Sequence, residues 1–309
     1  MVATAPVAVV GGSDHLGVEI SVADGAASVG SFSGIVRGTD GLGLISYYDA
    51  DHGHLKVRHC SNASCSEGTA AVADGADAVG LDTSITLGVD GLGLISYLDY
   101  TNDDLKVAHC ADPTCSRATS ATVDSAGAVG AFSSITVGTD GLGLISYFDH
   151  TNEHLKVAHC SDVACSAATT TTVDDDRGVG ALTSITLGSD GLGLVSYLDY
   201  TNGDLKVLHC SNVDCSRSTT TRVDTTGIVG DSSSITVGAD GLALVSYRDA
   251  TNNALKTAHC LDSACSIATT ATVDSGLGAI SDPTSLRVGA DGLGLISYLD
   301  GSGGHLKTA

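Results

Sequence analysis

An all-β fold assembled from equivalent units of four antiparallel strands is predicted by three observations on this sequence. The motif DGLGLISYLDYTNDDLKVAHC (residues 90–110) recurs, with copies opening at Asp40, Asp90, Asp140, Asp190, Asp240 and Asp291, a period of fifty residues with one extra before the last. Each unit reads as short alternating runs punctuated by Gly, Asp and Asn turns, the pattern of strands rather than helices. The two ends of the chain also carry complementary fragments of one unit. Strand-rich units of this period are the mark of a β-propeller, so the expected architecture is a single six-bladed β-propeller spanning residues 1–309. Its blades are expected at about 34–74, 84–124, 134–174, 184–224, 234–274, and 285–309 joined by 7–24.

The second unit justifies the four strands in turn. Strand A is SITLG, Ser84 to Gly88, rich in β-branched residues. Val89, Asp90 and Gly91 make a hairpin turn into strand B, Leu92 to Asp99, which is apolar on both faces and so belongs between two layers. A polar turn, Tyr100 to Asp104, precedes strand C, Leu105 to Cys110; strand D is Ala118 to Asp124, and a Gly-rich crossover, Ser125 to Ser133, leads to the next strand A. The terminal unit has strands A, B and C but no D, while Val18 to Asp24 aligns with strand D, so the N-terminal strand is expected to complete the last blade. Closing the ring in this way removes the open edges of a linear array. Val7 to Val10 also aligns with strand C.

The blade motif, as in SSITVGTDGLGLISYFD followed by LKVAHC, resembles the repeats of secreted bacterial β-propeller proteins with no assigned family function, over residues 18–309. The resemblance implies architecture and export, and no activity. The Asp-box of sialidase-like propellers, Ser-x-Asp-x-Gly-x-Thr-Trp, is absent, and the chain has no Trp.

Acidic residues outnumber basic ones 36 to 14, which excludes a phosphate backbone as partner; no nucleic acid is expected. The only glutamates are Glu19, Glu67 and Glu153, and Asp is a turn residue, so much of this charge is expected to serve backbone geometry and solubility. No apolar run approaches the roughly 20 residues of a membrane span, and no membrane insertion is expected. The cysteines fall in five pairs of identical spacing, Cys60 with Cys65, Cys110 with Cys115, Cys160 with Cys165, Cys210 with Cys215, and Cys260 with Cys265. Each pair brackets the hairpin between strands C and D, where a disulfide is worth about 2 kcal/mol in the loop-entropy picture. Such pairs imply an oxidising compartment, hence a secreted or cell-surface location, although residues 1–10 lack the basic start and long apolar region of a secretory signal. A zinc site from His109, Cys110 and Cys115 is disfavoured, because adjacent strand residues point to opposite faces.

Ser96, His109 and Asp99 recur together and suggest a nucleophile, a base and an orienting acid, but catalysis needs one assembled site rather than a copy in every blade. A buried imidazole bonded to a hydroxyl or carbonyl is the better account. The strand B tyrosines, Tyr47, Tyr97, Tyr147, Tyr197, Tyr247 and Tyr298, are expected to pack between blades with their hydroxyls satisfied. The aspartates that end strand B, such as Asp99, are expected to cap the following turn; no resident cofactor is expected, with calcium the one left open.

Departures from the repeat are the more specific signals. Arg37 and Arg287 replace apolar or Thr residues of strand A in the first and last units, where closure makes them neighbours on the channel, and they suggest an anion site there unless each pairs with a local Asp. The D to A and B to C loops vary and are expected on one face, where recognition concentrates. The leading expectation is therefore a non-catalytic binding or scaffold module that meets a protein or glycan ligand through that loop face. Two alternatives stand beside it: a glycan-processing hydrolase using Asp82, Asp231 and Asp282 on the same face, and a structural subunit of an extracellular assembly that self-associates.

Overall fold

A computed structural model describes residues 22–277 and 284–309; residues 7–21 of the expected closing segment, and Asp282, lie outside them. Blade 1 contains β1 (Val29–Arg37), β2 (Gly43–Asp49), β3 (His54–Cys60) and β4 (Gly68–Asp74). Blade 2 contains β5 (Val79–Leu87), β6 (Gly93–Asp99), β7 (Asp104–Cys110) and β8 (Ala118–Asp124). Blade 3 follows with β9 (Val129–Val137), β10 (Gly143–Asp149), β11 (His154–Cys160) and β12 (Ala168–Asp174). Blade 4 has β13 (Val179–Leu187), β14 (Gly193–Asp199), β15 (Asp204–Cys210) and β16 (Ser218–Asp224). Blade 5 has β17 (Val229–Val237), β18 (Ala243–Asp249), β19 (Ala254–Cys260) and β20 (Ala268–Ser275), and blade 6 has β21 (Ser285–Val288), β22 (Gly294–Asp300) and β23 (His305–Thr308). Each sheet pairs its strands antiparallel in chain order, four in blades 1 to 5 and three among the described residues of blade 6. The architecture is a six-bladed β-propeller with strand A of each blade innermost.

Strand A begins five residues before the expected position, at Val79 rather than Ser84. The Gly-rich stretch is part of the strand, interrupted by bulges between Val79 and Leu81 and between Leu81 and Ser84. Glycine is required there: Gly130 has φ +95°, and a Cβ on it would lie 2.7 Å from Leu105 Cα of the preceding blade. The bulge breaks the period of two, so the strand carries no alternation over this segment.

The core lies between blades. Leu44, Leu55 and Val57 of blade 1 pack with Ile95, Tyr97 and Ala108 of blade 2, and equivalent clusters recur around the ring. Each fully buried Leu, Ile or Val contributes about 1.5–3 kcal/mol relative to its exposed state. Hydroxyl bridges cross the same junctions: Ser46 with Thr83 (3.0 Å), Ser96 with Ser133 (2.9 Å), Ser146 with Thr183 (2.6 Å), Ser196 with Ser233 (2.9 Å) and Ser246 with Thr284 (2.7 Å).

A second polar element marks every junction. The strand B tyrosine donates its hydroxyl to an Asp at or next to the end of strand D of the preceding blade, and the strand C lysine donates to the same carboxylate oxygen. In blade 2 these contacts are Tyr97 to Asp74 at 2.6 Å and Lys106 to Asp74 at 2.7 Å, with the ammonium 5.7 Å from the tyrosine ring centroid. Asp124 with Tyr147 and Lys156, Asp174 with Tyr197 and Lys206, Asp224 with Tyr247 and Lys256, and Asp274 with Tyr298 and Lys307 repeat it. Burial makes these tyrosines weaker acids and the aspartate acceptor adds to the effect, so that the pKa of Tyr298 is pushed up to about 12.

Blade 1 completes the pattern with Asp24, which accepts from Tyr47 (2.7 Å) and Lys56 (2.8 Å). Asp24 thus takes the place that a strand D terminus occupies in the other junctions. The five cysteine pairs are disulfides with Cα atoms 4.8 Å apart, fastening each C to D hairpin and pointing to an oxidising environment. Among the described residues no helix is long and apolar enough to cross a membrane, which does not bear on β-barrels.

The junctions differ in burial, and their mutational costs should differ accordingly. Lys206 is 3% exposed and Asp174 7%, so Lys206→Ala strands a buried carboxylate and should cost about 3–5 kcal/mol in urea unfolding. Lys307 and Asp274 are 39% and 30% exposed, and Lys307→Ala should cost far less than Lys206→Ala in the same measurement. In Asp74, Asp124 and Asp224 burial opposes ionisation, but the Lys and Tyr hydrogen bonds outweigh it and lower the carboxyl below its ordinary value; Asp24 is lowered chiefly by Lys56. A lowered folded-state value stabilises above the unfolded value and is lost as pH falls through it. The urea midpoint should therefore be flat above about pH 5 and decline steadily below about pH 4.

Candidate functional site

The D to A crossovers and B to C turns share one face, held together by Val79 N–H to Gly53 O and Tyr100 N–H to Ala78 O, both 2.9 Å. The A to B turns and disulfide hairpins form the other face, where His109 Nε2 lies 2.9 Å from Asp90 Oδ2. Strand A runs between the two faces along the axis, so its first half lines a cavity at the loop face and its last half lines another beneath it.

The loop-face cavity, of about 190 Å³, is lined by one residue from the bulge of strand A in each of blades 1 to 5: Phe32, Asp82, Phe132, Leu182 and Ser232. All five adopt a left-handed backbone, with φ between 49° and 55°. Such φ values are uncommon for non-glycine residues, and those of Phe and Leu are outliers. Here the same turn recurs in blades 1 to 5, so the strain belongs to the scaffold and only the side chain changes. The following residues of strand A, Ser or Thr, also line the cavity, and those in blades 2 to 5 take part in the hydroxyl bridges between blades.

Asp82 is half-buried in this ring and accepts the Phe132 N–H at 2.7 Å. Burial pushes its carboxyl above the ordinary value, and that single hydrogen bond offsets the effect only partly. No Lys, Arg or His among the described residues lies within ion-pairing distance of it. Asp231, next to Ser232 of the ring, is ion-paired with Arg248 Nη1 at 3.0 Å and accepts from Ser232 Oγ at 3.1 Å. Asp231 therefore stands beside the cavity rim, and it differs from Asp82 in having a cation next to it. Asp282 lies outside the described residues.

An aromatic ledge borders the same cavity. Phe132 lies 6.3 Å from Phe148 by ring centroids, and Phe148 lies 5.8 Å from His150 and 6.2 Å from Tyr200. Tyr200 is 44% exposed and Tyr100, at the equivalent position of blade 2, is 64% exposed. None of these aromatics stands out in the sequence. A column of equivalent repeat positions, Phe32, Asp82, Phe132, Leu182 and Ser232, was the signal available to find the ring.

The recurring Ser, His and Asp are kept apart. Ser96 bridges to Ser133 of the next blade, and His109 pairs with the Asp90 carboxylate of the A to B turn rather than with a hydroxyl or carbonyl. Asp99 caps its turn, accepting from Thr101 N–H and Asn102 N–H at 3.1 Å each. The cysteine sulfurs are joined to each other, which removes the zinc alternative. Arg37 and Arg287 do line one cavity, the lower one of about 350 Å³. Neither pairs with a carboxylate among the described residues: Arg37 Nε donates to Gly41 O (3.1 Å) and Arg287 Nη1 to Leu286 O (2.9 Å).

No protein-family model matches the sequence, and no curated protein matches it. Solved structures do match by fold. A protein of unknown function from Dyadobacter fermentans is similar with a TM-score of 0.62 and 12% identity, over 86% of this chain and 89% of that one. The α-L-arabinanase of Penicillium chrysogenum, complexed with arabinobiose, matches with a TM-score of 0.58 and 12% identity, over 93% of this chain and 94% of its own. The α-L-arabinofuranosidase of Fusarium graminearum, in complex with an iminosugar inhibitor, gives the same TM-score of 0.58, 12% identity and coverage of 93% and 94%. These identities establish likeness of fold. The leading expectation of a non-catalytic binding or scaffold module is corrected to this extent: the fold it was placed on is shared with an arabinanase and an arabinofuranosidase.

Proposed function

We propose that the protein is an exported glycan-processing hydrolase acting in the loop-face cavity, with Asp82 as proton donor and Asp231 as the second carboxylate. The observation that carries this reading is the environment of Asp82, a carboxyl in an axial cavity, raised by burial and free of any cationic partner among the described residues. Glycosidic cleavage asks for two carboxyl groups in different protonation states, one giving a proton to the leaving oxygen and the other activating water or attacking the sugar. Asp82 suits the first role and Asp231, ion-paired with Arg248, the second. Phe132 and Tyr200 offer apolar faces for a sugar ring. The arabinanase and arabinofuranosidase likenesses and the five disulfides support the same reading.

The test is release of reducing sugar from a panel of polysaccharides, arabinan included. Asp82→Asn should lower kcat by about 10²–10⁴-fold. Because the raised carboxyl destabilises its own charged form, the same change should leave Tm at neutral pH unchanged or a little higher. A donor must be protonated, so wild-type activity should fall as pH rises through the raised Asp82 value. Full activity in Asp82→Asn, or no sugar release from any polysaccharide by wild type, would overturn the reading.

A further inference from the structure

We infer that the lower half of the channel is a binding site for a small oxyanion carrying two or more negative charges, held by Arg37 and Arg287. The site is separate from the loop-face cavity and does not rest on the hydrolase reading. In a chain with 36 acidic and 14 basic residues, a cation near carboxylates is the ordinary outcome. All six lysines form ion pairs, as do Arg177, Arg222 and Arg248, whereas Arg58, Arg117 and Arg217 share with Arg37 and Arg287 the lack of an ion-paired carboxylate among the described residues, so what sets Arg37 and Arg287 apart is their common cavity. Arg37 and Arg287 come from the first and last blades, at neighbouring repeat positions, yet they line one cavity and each spends a single N–H on a backbone carbonyl. A guanidinium has five N–H donors, so most of the donor capacity of both groups is left for a ligand.

The rest of the wall is suited to the same chemistry. Thr86, Thr136, Thr186 and Thr236 occupy one rung of the channel, half-buried, and their hydroxyls make no side-chain hydrogen bond among the described residues. Val36 and Arg287 hold the equivalent positions in blades 1 and 6, so the hydroxyl rung gives way to a guanidinium on the side where Arg37 also reaches in. Neutral donors around the ring and planar forked donors on one side match carboxylate or phosphate oxygens, which accept two parallel N–H bonds from an arginine. The cavity of about 350 Å³ admits a molecule of citrate size.

Calorimetric titration of the full chain with citrate and, separately, with inorganic phosphate tests the site, with chloride as the monovalent control at low ionic strength. One equivalent of citrate or phosphate should bind, more weakly as salt rises, and the preferred probe tells a carboxylate site from a phosphate site. Arg37→Ala with Arg287→Ala should weaken binding at least tenfold, and Arg37→Lys with Arg287→Lys, which keeps charge but loses the fork, should weaken it less. Should the alanine pair fail to fold by circular dichroism, the lysine pair alone must show a loss. Asp82→Asn should bind like wild type, which separates failure here from failure of the hydrolase reading. Wild-type protein that takes up neither probe in preference to chloride, or arginine variants that bind as well as wild type, would sink the inference.

Discussion

The ring depends on a carboxylate, withdrawn from solvent to differing degrees, that is shared between a tyrosine hydroxyl and a lysine ammonium at each junction of blades. Asp74, Asp124, Asp174, Asp224 and Asp274 each lie at or next to the end of the outermost strand of one blade and accept from the next, and Asp24 does the same for blade 1. Apolar packing between adjacent sheets is non-directional and tolerates sliding. A charge taken out of water does not, because it is costly unless its partners sit at hydrogen-bonding distance. The clusters therefore fix how far one sheet is rotated against the next, while Leu, Ile and Val supply most of the attraction. The hydroxyl bridges from Ser46, Ser96, Ser146, Ser196 and Ser246 repeat that constraint nearer the axis.

Much of the fold was legible in the sequence because a period of fifty is a global signal that local ambiguity cannot mask. The disulfide hairpins, the turn-capping role of Asp99 and the inter-blade tyrosines followed from residue type and spacing alone. The clusters did not, since Tyr97 and Lys106 lie 23 and 32 positions from Asp74, and only the stacking of two sheets brings them together. The Lys of LKVAHC reads as a solvated strand residue until its carboxylate is known. The start of strand A was misplaced for a related reason: a bulge at Gly80 and Asp82 looks like a loop when only alternation is followed.

The candidate site was legible in part. Asp82 and Asp231 were recognisable as acidic departures from the repeat, and Arg37 and Arg287 as basic ones, because a near-exact repeat makes any change of charge visible. The aromatic members escaped notice, as Phe132, Phe148 and Tyr200 are ordinary strand or turn residues in the sequence and meet only across blades 3 and 4. The non-catalytic reading arose because the repeated Ser, His and Asp gave no single assembled site, and nothing in the sequence set Asp82 and Asp231 around a pocket. The geometry assigns those residues to the scaffold and leaves the unrepeated ones around the axis.

The left-handed turn that carries Phe32, Asp82, Phe132, Leu182 and Ser232 has a consequence for how such a site changes over generations. The backbone of each turn is set by its own strand and by a neighbouring glycine, so the side chain it presents is nearly independent of the others. Aromatic, aliphatic, hydroxyl and acidic groups already occupy the same place in different blades without altering the ring. Each blade thus acts as a separately adjustable dial around one opening. A lineage built this way can shift what the opening accepts by single-codon steps, with the load of holding the molecule together carried elsewhere.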